Sequence, residues 1–302
     1  MNSGFLYALI AYTIWGLFPL YWRLLQSIPA IQIAAHRVIW SWVILMLAIV
    51  LTKQWRHFRE ATNRRVLASY TIAAALISVN WVLYIWAVNA KHIVEVSLGY
   101  FINPLISVFF GTVFFKEHLR PLHWFSLLCA TIGVIYLTYD YGRLPWIALV
   151  LAGTFALYGL VKKTAPLKSL FGLTLETSVL VVPAFGYLLL CEYNGNGSLL
   201  HAAPSTYALL LFAGIVTAVP LLLFATAAQR IPLTLIGILQ YMAPTLQILI
   251  GIFLFHEPFS TQQLTGFGLV WIALAIFVFE SLRRRPPLPA IANIERNENI
   301  KI

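Results

Sequence analysis

Long apolar segments separated by short polar stretches run through almost the whole chain. Each segment is about 20 residues long, which is enough for a helix to cross a hydrocarbon core of about 30 Å. Ten such segments can be marked on the sequence: 4–22, 32–52, 68–88, 95–115, 121–139, 145–161, 171–191, 206–228, 234–255 and 262–282. The pattern predicts an all-α polytopic membrane protein with ten transmembrane helices, a class that depends on the bilayer to satisfy its apolar surface.

The same pattern is written twice. "PLISVFFGTVFFKE" begins at Pro104, and "PTLQILIGIFLFHE" begins 140 residues later at Pro244. The matched positions are Pro104, Gly111 and Glu117 in the first copy and Pro244, Gly251 and Glu257 in the second. Because the register needs no gap, we expect two five-helix halves, 4–140 and 144–282. Five is odd, so the second half enters the bilayer from the opposite side, which makes an inverted repeat. A duplication without a transport role is the alternative.

Composition and charge agree with this class and add a sidedness. The chain is 61% hydrophobic and 10% charged, with a mean hydropathy of +0.84 and a net charge of +10. Sixteen lysines and arginines fall on one side: five in the loop 53–68, five in the tail, and Lys116, Arg120, Lys162, Lys163, Lys168 and Arg230. Three, namely Arg23, Lys91 and Arg143, fall on the other. The bias predicts cytoplasmic N- and C-termini in a bacterial inner membrane. It explains the positive charge without nucleic acid, and the tail 283–302 is predicted to be disordered.

Other classes of site find no support in the sequence. The two cysteines, Cys129 and Cys191, form no CxxC, and no histidine–cysteine cluster has metal-ligand spacing. HExxH, GxSxG and a nucleotide-binding glycine loop are absent. We therefore expect no metal, no cofactor and no enzymatic activity. The N-terminal segment is interpreted as a retained first helix.

The duplicated P-x6-G-x5-E motif in five-helix halves resembles the EamA family of the drug/metabolite transporter superfamily. Within that family, "WGLFPLYWRLL", "AHRVIWS" and "GYFINPL" are similar to the RarD branch, which is named for a link to chloramphenicol sensitivity. The resemblance covers about residues 4–282. It implies solute transport, commonly export, by a permease, and it names no substrate.

Polar and aromatic residues in the middle of apolar segments are the candidates for a solute cavity. Buried amides in lipid need partners and therefore face the inside of a bundle. The candidates are Tyr12, Trp15, Arg37, Asn80, Tyr84, Tyr100, Asn103, Gln240, Tyr241 and Gln247. Trp22, Trp124 and Trp146 are assigned instead to the aromatic belts at the membrane interfaces.

Ionisable residues inside or at the mouths of helices are the second group of candidates. Arg37 at mid-membrane costs at least about 2.5–3.5 kcal/mol, which favours a cavity position, although snorkelling to the interface is the alternative. His36, Glu95 and Glu176 are candidates for coupling transport to protons. A histidine bonded to a backbone carbonyl, and acids that stabilise helix N-termini, are the simpler interpretations. Glu117 and Glu257 are expected to cap the helices that follow or to play a similar structural role.

These observations together predict an alternating-access exporter of small amphipathic or aromatic metabolites or drug-like compounds. No nucleotide site is present, so a gradient would drive transport, and protons are the proposed coupling ion. The alternatives are a gradient-independent facilitator and, more distantly, a membrane sensor, scaffold or enzyme. The expected partners are a small-molecule substrate and the lipid bilayer, and a homodimer is left open.

Overall fold

The computed structural model describes residues 3–90, 92–141, 144–198, 200–256 and 261–283, and these ranges contain helices and no strand. Glu257 and the predicted tail beyond Arg283 lie outside the described residues. The helices are α1 (Ser3–Gly16), α2 (Phe18–Arg23), α3 (Ala30–Leu51), α4 (Trp55–Ala61), α5 (Arg64–Asn89), α6 (Ile93–Phe115), α7 (Pro121–Tyr141), α8 (Trp146–Thr164), α9 (Ser169–Tyr193), α10 (Pro204–Arg230), α11 (Leu233–Gln240), α12 (Met242–Phe255) and α13 (Thr261–Arg283).

Within the described ranges, nine helical segments are long and apolar enough to cross a membrane. Two of them combine consecutive helices, because α1 and α2 form Ser3–Arg23 and α11 and α12 form Leu233–Phe255. Helix α13 adds a shorter apolar stretch, Leu264–Phe277. The prediction of an all-helical, multi-pass membrane protein is therefore confirmed.

Prolines explain the two interruptions. Pro19 lies in the first turn of α2, a position that tolerates a residue without a backbone N–H. Pro244 follows the break between α11 and α12 at Tyr241. Its ring would clash with the carbonyl of Gln240 in a continuous helix, four residues earlier, so the helix divides there. Pro104 lies inside an uninterrupted α6.

The motif glycines end two helices in the same way. Lys116 follows α6 and His256 follows α12, each with a left-handed φ of 52°. The Lys116 N–H donates to the carbonyl of Gly111, and the His256 N–H donates to the carbonyl of Gly251. This geometry satisfies carbonyls that the helix leaves without partners at its C-terminus.

Helix bounds also recur 140 residues apart. Arg64–Asn89 corresponds to Pro204–Arg230, and Ile93–Phe115 corresponds to Leu233–Phe255. The packing follows the same pairing, since α1 packs on α10 as α8 packs on α5, and α6 packs on α8 as α12 packs on α1.

Close contacts at glycine hold the middle of the bundle together. A Cβ on Gly237 of α11 would lie 2.8 Å from the carbonyl oxygen of Pro104 in α6, so these two backbones meet only at a glycine. Ser41 of α3 donates a hydrogen bond of 3.0 Å to the carbonyl of Gly214 in α10. The largest buried cluster contains Tyr12, Tyr158 and Phe224 and lies directly below the cavity described next.

Candidate solute-binding site

One cavity of about 440 Å³ lies among α1, α2, α3, α5, α6, α8, α10, α11 and α12. Its volume falls within the range of about 300–1,000 Å³ that is usual for small-molecule sites. Nine of the ten predicted cavity residues line it: Tyr12, Trp15, Arg37, Asn80, Tyr84, Tyr100, Asn103, Gln240 and Gln247. The structure thus brings together residues that the chain spreads over more than two hundred positions.

Tyr241 is the predicted residue that the structure does not bring to the cavity wall. Its side chain is fully buried in a second cluster with Phe101 and Phe267. The hydroxyl donates a hydrogen bond of 3.1 Å to the carbonyl of Phe101. Because Tyr241 stands at the break between α11 and α12, its side chain points toward α6 instead of following the face that Gln240 presents.

Four aromatic residues of the wall were missed by the prediction: Phe18, Trp22, Trp81 and Phe155. Trp22 is a correction, since it was assigned to the membrane interface and instead lines the cavity. The signal was in the sequence. Trp15, Phe18 and Trp22 are spaced by three and four residues, which places them on one helical face.

Arg37 is held within the cavity by contacts on three sides. Its Nε donates a hydrogen bond of 2.9 Å to Thr217 Oγ1, halfway along α10. The guanidinium carbon lies 4.7 Å from the ring centre of Trp22 and 4.8 Å from that of Trp81, within the range of cation–π attraction. Phe18 is farther away, at 5.9 Å. The contact with Thr217 argues against snorkelling, because it holds the side chain toward the bundle interior.

The amide side chains of the wall are tied to neighbouring helices. Asn80 donates to the carbonyl of Leu151 at 2.8 Å and to the Thr154 hydroxyl at 3.0 Å. Gln247 donates to the carbonyl of Trp15 at 3.0 Å. The amide donors therefore fix α5 against α8 and α12 against α1, which leaves the amide oxygens as the adaptable polar groups.

Glu176 belongs to a buried ionic cluster, not to the N-terminal turn of a helix. Its Oε1 is hydrogen-bonded to Lys162 Nζ, and its Oε2 accepts a 3.0 Å hydrogen bond from the Tyr158 hydroxyl. Both charged side chains are only 2% exposed. Lys162 is a second correction. It was counted with the loop cations, whereas it lies inside α8 and points into the bundle.

The remaining ionisable candidates contact helix ends and loops, and none of those in the described residues lines the cavity. His36 is paired with Ser198 at 3.1 Å. Glu95 accepts a hydrogen bond from the N–H of Ile147, in the first turn of α8. Glu117 accepts hydrogen bonds from the N–H groups of Leu233 and Thr234 at 2.7 and 2.8 Å, at the start of α11. Glu117 thus caps a helix of the other half of the chain, not the helix that follows it.

Comparison with known proteins places this architecture in a family. A family model described as the EamA-like transporter family matches residues 2–139. An uncharacterized transporter of Bacillus subtilis, YojE, is 45% identical over 292 residues, which cover 93% of this chain and 95% of the relative.

The chain belongs to the EamA-like transporter family. Within this family it is similar to Protein RarD of Streptomyces exfoliatus, with 45% identity over 93% of this chain and 90% of the relative. Protein RarD of Escherichia coli is 39% identical over 93% of this chain and 95% of its own length. The resemblance to the RarD branch is therefore confirmed.

The fold of this EamA-like chain also has a solved counterpart. One crystal structure, 18% identical, covers 94% of this chain and 99% of its own with a TM-score of 0.67. At that identity the match concerns the fold alone. Membership of the family makes the chain a transporter-type, multi-pass membrane protein with a small-molecule substrate.

Proposed function

We propose that the chain exports small amphipathic or aromatic solutes, metabolites or drug-like compounds, across the bacterial inner membrane by alternating access. The observation that carries the proposal is the 440 Å³ cavity inside a membrane protein of a transporter family. Its wall combines aromatic faces with a few amides and hydroxyls, which suits solutes that have an apolar body and a small polar group.

The architecture we propose is ten transmembrane helices in two inverted repeats, 4–140 and 144–282, with α13 as the tenth helix. Three observations support it: helix bounds that recur 140 residues apart, matching left-handed caps at Lys116 and His256, and paired packing of equivalent helices. Two similar halves can exchange conformations, so inward-open and outward-open states have similar energies.

The orientation we propose has both termini in the cytoplasm. Removing Lys162 from the count leaves fifteen lysines and arginines against three, so the bias persists. On this orientation the cavity extends toward the periplasmic ends of α2, α3 and α6, where Trp22, Ala30 and Val96 line it. The buried pair of Lys162 and Glu176 then closes the cytoplasmic side, and the conformation is outward-facing.

Coupling to protons through Glu176 is the further part of the proposal. Glu176 borders a narrow space whose wall includes Trp81, Thr217 and Leu221, and these three residues also line the cavity. A proton that reaches Glu176 would weaken its attraction for Lys162 and loosen α8 from α9 on the cytoplasmic side. His36 and Glu95 have no such link to the cavity wall.

Flux into proteoliposomes tests the function. We expect the purified protein to accumulate one or more members of a panel of aromatic amino acids, aromatic acids and antibiotics when a pH step is imposed. Glu176→Gln keeps the shape but cannot exchange a proton, so accumulation should become equilibration. Equilibration by the unmodified protein, with or without the step, would make it a facilitator. Absence of flux for the whole panel would count against transport of this solute class.

A further inference from the structure

The cavity contains a single charged side chain among the lining residues that the structure describes, and this is Arg37. We propose that the transported solute is an aromatic or amphipathic monocarboxylate whose carboxylate binds the Arg37 guanidinium. The inference rests on the proposed function, because it names the chemical class that the proposed transport site takes.

The contacts of Arg37 leave its end-on hydrogen-bonding fork available. Thr217 accepts from Nε, so the protein uses one of the five guanidinium N–H groups. The rings of Trp22 and Trp81 interact with the guanidinium through their π faces and accept no conventional hydrogen bond. The two terminal nitrogens form the planar fork that matches a carboxylate in a bidentate arrangement.

No carboxylate of the protein competes for this fork in the part of the chain that the structure describes. The acids nearest in function are engaged elsewhere, since Glu176 pairs with Lys162 and Glu117 pairs with Lys163 at 3.6 Å. A cation withdrawn from water is costly unless it is paired. A solute anion would supply that missing partner, and its departure would leave Arg37 to the solvent that enters the open cavity.

The same wall argues for one negative charge and no positive charge on the solute. One arginine neutralises one carboxylate, whereas a phosphate dianion would bring a second charge that no lining residue pairs. No described aspartate or glutamate lines the cavity, so the ammonium of a zwitterion would be desolvated without an acid beside it. The aromatic faces of Trp15, Tyr84 and Phe155 provide the apolar surface for the solute's body.

Binding by the full-length protein in detergent, measured by calorimetry, tests the charge preference directly. The probes are indole-3-propionate, its uncharged amide, and tryptophan, which adds an ammonium to the same skeleton; 3-phenylpropionate and its amide form a second pair. We expect each carboxylate to bind about tenfold or more tightly than its amide, because hydrogen bonds between charged groups are the strong ones. Tryptophan should bind more weakly than indole-3-propionate.

Three variants assign the preference to Arg37. Arg37→Gln should bind carboxylate and amide equally, and Arg37→Lys should keep only part of the preference because it lacks the planar fork. Arg23→Gln is the matched control. Arg23 also stacks on an aromatic ring, that of Phe255 at 4.4 Å, but it does not line the cavity, so the wild-type ratio should be retained.

The outcomes separate this inference from the proposed function. Equal binding of carboxylate and amide by the unmodified protein, or tighter binding of tryptophan, overturns the monocarboxylate inference and leaves solute transport standing. Failure of both carboxylates to bind overturns the inference, and flux of another solute class would then show that transport survives. If Arg37→Gln does not fold, the Lys variant and the wild-type comparison still decide between these results.

Discussion

The pair of Lys162 and Glu176 allows a sharp prediction about stability. Both side chains are 2% exposed and hydrogen-bonded to one another, with Tyr158 donating to the second carboxylate oxygen. Removing one member of a buried pair leaves the other charge without compensation, which costs about 3–5 kcal/mol. We expect Lys162→Met to fall in this range. Glu176→Gln should lie near its lower end, because the amide oxygen can still accept from Lys162.

The double variant Lys162→Met/Glu176→Leu should be far more stable than the two single changes suggest. Replacing both charges by apolar side chains of similar volume removes the desolvation penalty together with the attraction, and such exchanges are often neutral or stabilising. The double-variant cycle, with Glu176→Leu as its second single change, should therefore give a coupling free energy of several kcal/mol. Unfolding in detergent micelles, followed by circular dichroism, measures it.

Arg56 and Glu60 provide the matched control pair. They lie four residues apart on α4, and their side chains are 86% and 58% exposed. Solvent screening limits an exposed pair of this kind to about 0.3–0.5 kcal/mol. If the Lys162 and Glu176 changes were additive, or if the two cycles gave the same coupling, the reasoning from burial would be refuted.

Three further predictions follow from individual contacts. A periplasm-specific reporter should be silent when fused after Lys301 and active when inserted in 192–205; the reverse pattern would overturn the orientation. Tyr12→Phe should stabilise the solute-free protein by about 1–3 kcal/mol, because the buried hydroxyl has no partner among the described residues, whereas Tyr241→Phe should cost about 0.5–1.5 kcal/mol through its lost bond to Phe101. Lower melting of the Tyr12 variant would contradict this. Lys116→Gly relieves about 1–2 kcal/mol of left-handed strain but frees the unfolded chain by about 0.5–1 kcal/mol, so a gain of about 0.5 kcal/mol is expected, absent in Lys116→Ala.

Much of the cavity was predictable because the membrane makes polar residues conspicuous. An amide or arginine within an apolar segment, such as Asn80 or Arg37, must face the bundle interior or find a partner. That rule selected residues on five different helices, and the structure places nine of them on one wall. Trp22 escaped it, since tryptophan is equally at home at a membrane interface, and only its neighbours decide between the two positions.

Lys162 shows the limit of reasoning from charge along the chain. A lysine next to Lys163 at the end of an apolar segment has the pattern of a loop cation, and its burial depends on an acid fourteen residues away on another helix. Glu176 was recognised as unusual, but its partner was not. Opposite charges on different helices carry no mark in sequence that identifies them as a pair.

The sequence by itself determined the helical membrane class, the 140-residue recurrence and the helix-ending motif at Gly111, because hydrophobic length, spacing and local capping act between residues close along the chain. Tertiary structure decided what those helices enclose. It turned Tyr241 toward Phe101, bound Glu117 to the start of α11, and left Arg37 among aromatic rings without an acid beside it within the described residues. These outcomes depend on how helices distant in sequence rotate and pack, since that packing alone decides which side chains share a partner and which face open space.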